Sequence, residues 1–229
     1  MNQLFNRVVI LGILGAFGSI GAPPAIASAE LPRGFIAQSQ AQSLFDRAVE
    51  KTERGDFQGA VRDYSQAIEM QPNYVEAYIG RANVLSKAGN QSGAIADYSQ
   101  ALRLNSKKIE AYIGRGSAYS AIGNQASAIE DYTQALRINN NSAEAYVGRG
   151  AAYAAIGEFD RAMDDFNEAV EINPADGAAY FNRGLIRAQQ GDREAAISDF
   201  RQASSLFQSQ GNNTLSQQAQ AFIQRLQQN

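Results

Sequence analysis

An all-α solenoid is the fold class this sequence predicts, and three observations predict it. One 34-residue pattern is written five times, over 41–74, 75–108, 109–142, 143–176 and 177–210. Each copy carries a glycine at one place: Gly55, Gly89, Gly123, Gly157 and Gly191. Small and large residues recur around it, with alanines at 60, 94, 128, 162 and 196 and again at 67, 101, 135, 169 and 203. Between the two alanines stands an aromatic: Tyr64, Tyr98, Tyr132, Phe166 or Phe200.

Each element follows from spacing. In the third copy Ala111 to about Ile122 reads as one helix, because Tyr112, Tyr119 and Ile122 fall on one stripe at steps of seven and three. Gly123 ends it, since glycine takes a left-handed backbone at no steric cost. Ser127 to Ile138 reads as the second helix, with Ala128, Tyr132, Ala135 and Ile138 on its apolar face. Alanine lets helices approach, and a ring fills the space beside it. No hairpin can bury its own stripe, so the core must run on from unit to unit.

The middle copies read AYIGRANVLSKAGNQSGAIADYSQALRLN, AYIGRGSAYSAIGNQASAIEDYTQALRIN and AYVGRGAAYAAIGEFDRAMDDFNEAVEINP. This pattern resembles the tetratricopeptide repeat (TPR), a 34-residue helix–turn–helix unit. Pro72 and Pro174 follow the second helix as in that family, and Ser106, Asn140 and Gln208 replace proline in the other copies. The resemblance implies a right-handed α-solenoid of five units. A C-terminal capping helix is expected within 211–229, at about 214–228, with Thr214 and Gln217 as a capping box and Leu215, Ala219, Phe222 and Leu226 as its apolar stripe. Leu44 stands where the other copies have tyrosine, and Lys51 and Arg187 make the end copies less apolar than the middle ones.

Residues 1–29 stand apart. Arg7 is their one charge, Val8 to Ala22 is apolar, and Ala27-Ser28-Ala29 is a small-x-small site of the kind signal peptidase cuts. The segment reads as an export signal, with a membrane anchor as the alternative; any membrane contact is expected only through it. Export implies a periplasm, a thylakoid lumen or the cell exterior. Residues 30–40 read as a polar linker. The chain holds 20 basic and 23 acidic residues, net −3, and losing Arg7 makes it more acidic. That argues against a nucleic-acid partner, which wants a basic patch.

The chain has no histidine and no cysteine. Cys–His and Ser–His–Asp catalysis and thiolate metal sites are thereby excluded. Asp164 and Asp165 adjoin, but neighbouring helical residues point apart. Gly114-Arg115-Gly116 and Gly148-Arg149-Gly150 lack the third glycine and the preceding strand of a phosphate loop. No catalytic residue, cofactor or metal is expected.

Every copy pairs an arginine with an aspartate sixteen residues on: Arg47 with Asp63, Arg81 with Asp97, Arg115 with Asp131, Arg149 with Asp165 and Arg183 with Asp199. Charges at interior positions need partners. They are expected to bridge neighbouring helices, within a unit or into the next.

In TPR proteins the first helix of each unit lines a concave groove. Carried over, that implies Glu76, Ile79, Gly80, Asn83, Ser86 and Lys87 in the second unit. It implies Glu110, Ile113, Gly114, Ser117, Ser120 and Ala121 in the third, and Glu144, Val147, Gly148, Ala151, Ala154 and Ala155 in the fourth. Two readings of Gly80, Gly114 and Gly148 stand side by side: drift at an exposed site, or clearance for a partner. An acidic-tail receptor is disfavoured, because Ile79, Ile113 and Val147 stand where such a clamp has lysine, and Asn83 alone matches it. The expected function is a non-catalytic scaffold for a protein or peptide partner, exported like TPR proteins of photosynthetic bacteria that assemble or maintain membrane complexes. A structural subunit that forms homo-oligomers, or a membrane-tethered adaptor, is the alternative.

Overall fold

The computed structural model describes residues 33–228, apart from the side chains of 33–36. The proposed export segment, residues 1–29, lies outside the described residues. Among the described residues there are eleven helices and no strand. The first helices of the units are α1 (Arg33–Glu53), α3 (Val75–Lys87), α5 (Ile109–Ala121), α7 (Ala143–Ala155) and α9 (Gly177–Gln189). The second helices are α2 (Phe57–Met70), α4 (Gln91–Leu104), α6 (Gln125–Ile138), α8 (Phe159–Ile172) and α10 (Arg193–Ser209), and α11 (Asn213–Gln228) follows. α3, α5, α7 and α9 each pack on their even partner and on the even helix before them, while α1 packs on α2 and α11 on α10. The odd helices from α1 to α9 also touch one another in sequence, whereas the even helices form no such row. One face of the stack is therefore built from odd helices alone.

The glycines make the hairpin turns. Gly55, Gly89, Gly123, Gly157 and Gly191 have φ between 79° and 86°, the left-handed region where a side chain would be strained. The residue after each glycine usually caps the next helix. Asp56, Asn90, Asn124 and Asp192 accept hydrogen bonds from backbone N–H groups at 2.9–3.2 Å. Gly211 (φ 76°) and Asn212 repeat the step before α11, where Asn212 accepts from the Leu215 N–H at 3.1 Å. This corrects the expected box at Thr214 and Gln217: the glycine turn delivers asparagine, the stronger cap, two residues earlier.

The core is the alanine–aromatic ladder. Ala60, Ala94, Ala128, Ala162 and Ala196 are wholly buried, and so are Ala67, Ala101, Ala135, Ala169 and Ala203. Tyr64, Tyr98, Tyr132, Phe166 and Phe200 are buried beside them. At about 25 cal/mol per Å² of apolar surface, each ring contributes on the order of 2 kcal/mol by leaving water. Two expected core members lie outside the ladder. Ile122 is 54% exposed at the end of α5, and Ile138 is 41% exposed, its place taken by buried Leu136. Both sit at helix ends.

Of the linker expected at 30–40, residues 30–32 lie outside the described residues and the rest is helix. Residues 33–40 continue α1 upstream, because Ala and Gln favour helix and no breaker intervenes after Gly34. At the far end Leu215, Ala219, Phe222, Ile223 and Leu226 of α11 cover the last cluster around Phe200 and Phe207. The Phe222 ring stacks on Phe200 at 5.2 Å. Ser216, absent from the expected stripe, is buried and shares a hydrogen bond with buried Ser204 at 2.9 Å. No helix among the described residues is long and apolar enough to cross a membrane.

Candidate functional site

Each unit holds the arginine of the recurrent pair on its first helix and the aspartate on its second, and the hairpin brings them together. The closest N–O distances are 2.6 Å for Arg47–Asp63, 2.7 Å for Arg81–Asp97, Arg115–Asp131 and Arg149–Asp165, and 2.8 Å for Arg183–Asp199. Nε and Nη2 of every arginine reach the two carboxylate oxygens of its aspartate. This is the two-pronged geometry that arginine is shaped for. All five aspartates are buried.

The remaining prong goes backward. Nη1 of Arg81, Arg115, Arg149 and Arg183 donates to Ser65, Ser99, Thr133 and Asn167 of the preceding unit, at 2.9–3.3 Å. The pair is thus internal to a unit, while the arginine also ties that unit to the one before. The signal was in the sequence: a hydroxyl or amide residue follows each of the first four core aromatics. The lysine and arginine at the end units belong to the same network. Lys51 Nζ lies 2.7 Å from Asp63, and Arg187 lies 2.8 Å from Asp199. In the third and fourth units the equivalent Tyr119 and Tyr153 lie against Arg115 and Arg149 instead.

Arg47 and Lys51 hold the Asp63 carboxyl down to about 2, Arg47 having the larger effect. Asp63 therefore adds stability that is present above the ordinary aspartate range and is lost as the pH falls toward 2. Replacing Lys51 with methionine is expected to raise the Asp63 midpoint, as read by carboxyl NMR titration. An unchanged midpoint would remove Lys51 from the network.

The odd-helix face carries the groove residues. A concavity of about 450 Å³ is lined by Asn83, Ser86, Lys87, Tyr98, Glu110, Ile113, Gly114, Ser117 and Glu144. It gathers side chains of three consecutive units. Ala151 is exposed and Val147 half-buried outside it. Ile79 is turned partly into the core, against the cluster of Ala82, Ala94 and Tyr98. Ile113 does both, packing on the clusters around Tyr132 and Leu136 while lining the concavity.

The glycines have a role that the sequence reading did not anticipate. A Cβ on Gly80, Gly114 or Gly148 would lie 2.6, 2.4 and 2.4 Å from Cζ of Tyr64, Tyr98 and Tyr132 respectively. Each glycine is a slot through which a tyrosine of the preceding unit passes between two odd helices. This contact gives the glycines a structural reason that drift lacks, and Gly114 lines the concavity as well. The Tyr98 hydroxyl emerges on the groove floor and donates to Asn83 Oδ1. Burial pushes its pKa up to about 12. Tyr132 is pushed up too, chiefly by burial, with Ser120 and Ser117 acting against it. Where the aromatic is Phe166, with no hydroxyl to pass, the slot position is Asn182.

Models of the tetratricopeptide repeat match residues 143–176 and 177–210, and a TPR repeat model matches 50–89, 82–123 and 116–157. The chain belongs to the TPR family. No curated protein gives a significant match. Among solved structures, MamA is 29% identical, with a TM-score of 0.64 over 72% of this chain and 96% of that one. A thermophilic TPR protein of Thermus thermophilus is 19% identical, with a TM-score of 0.67 over 80% of this chain and 98% of its own. YrrB, described as a TPR protein with an unusual peptide-binding site, is 22% identical, with a TM-score of 0.59 over 78% and 90%. The last two likenesses show the fold alone.

Proposed function

We propose that this TPR protein is a non-catalytic scaffold that holds an extended segment of a protein partner on its odd-helix face. The observation that carries the reading is the concavity shared by α3, α5 and α7. Its floor offers fixed hydrogen-bonding groups, Asn83, Tyr98 and Ser117, beside the apolar Ile113. Such a mixture of shape, apolar area and a few placed polar groups is what a binding groove requires. The peptide-binding site named for YrrB, a protein of the same fold, agrees with that use of the solenoid. Residues 1–29 would send the protein to a periplasm, a thylakoid lumen or the cell exterior, where it would help to assemble or maintain a membrane complex.

Cross-linking and mass spectrometry on native membranes test this. Cross-links from a different protein to residues 79–155 are expected. Self-links alone would replace the scaffold by a self-associating subunit. Sequencing the mature N-terminus is expected to begin at Glu30; a chain that keeps Arg7 would instead be a tethered adaptor.

A further inference from the structure

Three glutamates occupy one repeat position on the groove edge, but only one has an ion-pair partner. Glu76 holds Lys108 Nζ at 2.7 Å. Lys108 stands just ahead of α5, and one unit later that place is Ser142, then Asp176. Ser142 turns its hydroxyl to the Ala145 N–H, and Asp176 caps α9. Among the described residues, Glu110 and Glu144 form no salt bridge. Both are exposed, and both line the same concavity. The Glu76–Lys108 pair therefore shows, inside the molecule, what a glutamate at this position accepts: an ammonium group from a neighbouring stretch of chain.

We infer that the groove takes a basic extended segment, with lysine or arginine side chains on Glu110 and Glu144 as Lys108 sits on Glu76. This rests on the groove reading above and names the partner's chemistry. Packed helices lie about 8–10 Å apart. A polyproline-type strand advances about 9 Å in three residues and returns to the same face. The basic residues are therefore spaced by three. Lys87 lines the same concavity and repels them, so the glutamates are the groups left to hold them.

The test passes a degenerate decapeptide library over the immobilised full chain and sequences what is retained. Lysine and arginine should be enriched about two- to fivefold at positions three apart, the range of an exposed ion pair. The Glu110→Gln/Glu144→Gln chain should still retain peptides but lose that enrichment. A retained pool without basic enrichment, or an enrichment that survives the double substitution, overturns the inference and leaves the groove standing. If the wild-type chain retains no peptide, the groove reading falls and this inference falls with it.

Discussion

Replacing Arg115 with methionine is expected to cost about 3–5 kcal/mol, read as a lower urea midpoint. The substitution keeps the bulk of the arginine stem and removes the guanidinium. Asp131, with 4% of its side chain exposed, then loses its two hydrogen bonds, and burial, which already raises its pKa against the pull of Arg115, makes it costly as an unpaired charge or drives it to take up a proton. Ser99 loses its partner in the next unit as well. An exposed ion pair would give at most about 1 kcal/mol, so the measurement separates a buried tie from a surface contact. A loss below that value would mean that water reaches Asp131 and that the recurrent pair is not a structural tie. The further substitution Asp131→Asn should restore part of the loss, because a neutral amide is cheaper to bury than an unpaired carboxylate.

Replacing Gly148 with asparagine should destabilise the protein by about 1–3 kcal/mol, the usual cost of overpacking. Helix propensity alone predicts the opposite sign, since glycine is the poorer helix former. The clash decides it, because a Cβ there would lie 2.4 Å from the Tyr132 ring. At the boundary between the fourth and fifth units the same two positions hold Phe166 and Asn182. Phenylalanine at 132 would keep the ring carbons that the Cβ meets, so the decisive background is Tyr132→Ala, in which the cost of Gly148→Asn should largely vanish. If Gly148→Asn stabilises the chain, or if its cost is the same with and without the Tyr132 ring, the slot is not what keeps glycine at 148.

The fold was legible because its signals are local and repeated five times. Gly123 marks a turn, Ala128 and Ala135 mark a close helix contact, and Tyr132 marks the ring between them. The pairing of Arg115 with Asp131 was legible as a need, since a charge at an interior place demands a partner. Its direction was not. A separation of sixteen residues fits a bridge within a unit or across to the next, and only the hairpin geometry chooses. The use of Gly114 was hidden for a related reason. Glycine in a helix announces a close approach without naming what approaches, and here that is Tyr98 of the unit before. Ile79 and Ile113 were placed on the groove by position, yet they also serve the core between units. Residues 33–40 were misread as linker because the repeat pattern stops at 41, while helix propensity does not.

Each hairpin owes its structure to the units on either side, and every other conclusion depends on that. The direct measurement is the far-UV circular dichroism of an isolated peptide spanning 109–142. Within the chain that stretch is helical over Ile109–Ala121 and Gln125–Ile138. Alone, it loses the Tyr98 ring beneath Gly114 and the Ser99 hydroxyl bound to Arg115. The predicted result is a largely unfolded spectrum with no cooperative melt. A fully helical spectrum with a sharp thermal transition would contradict this dependence.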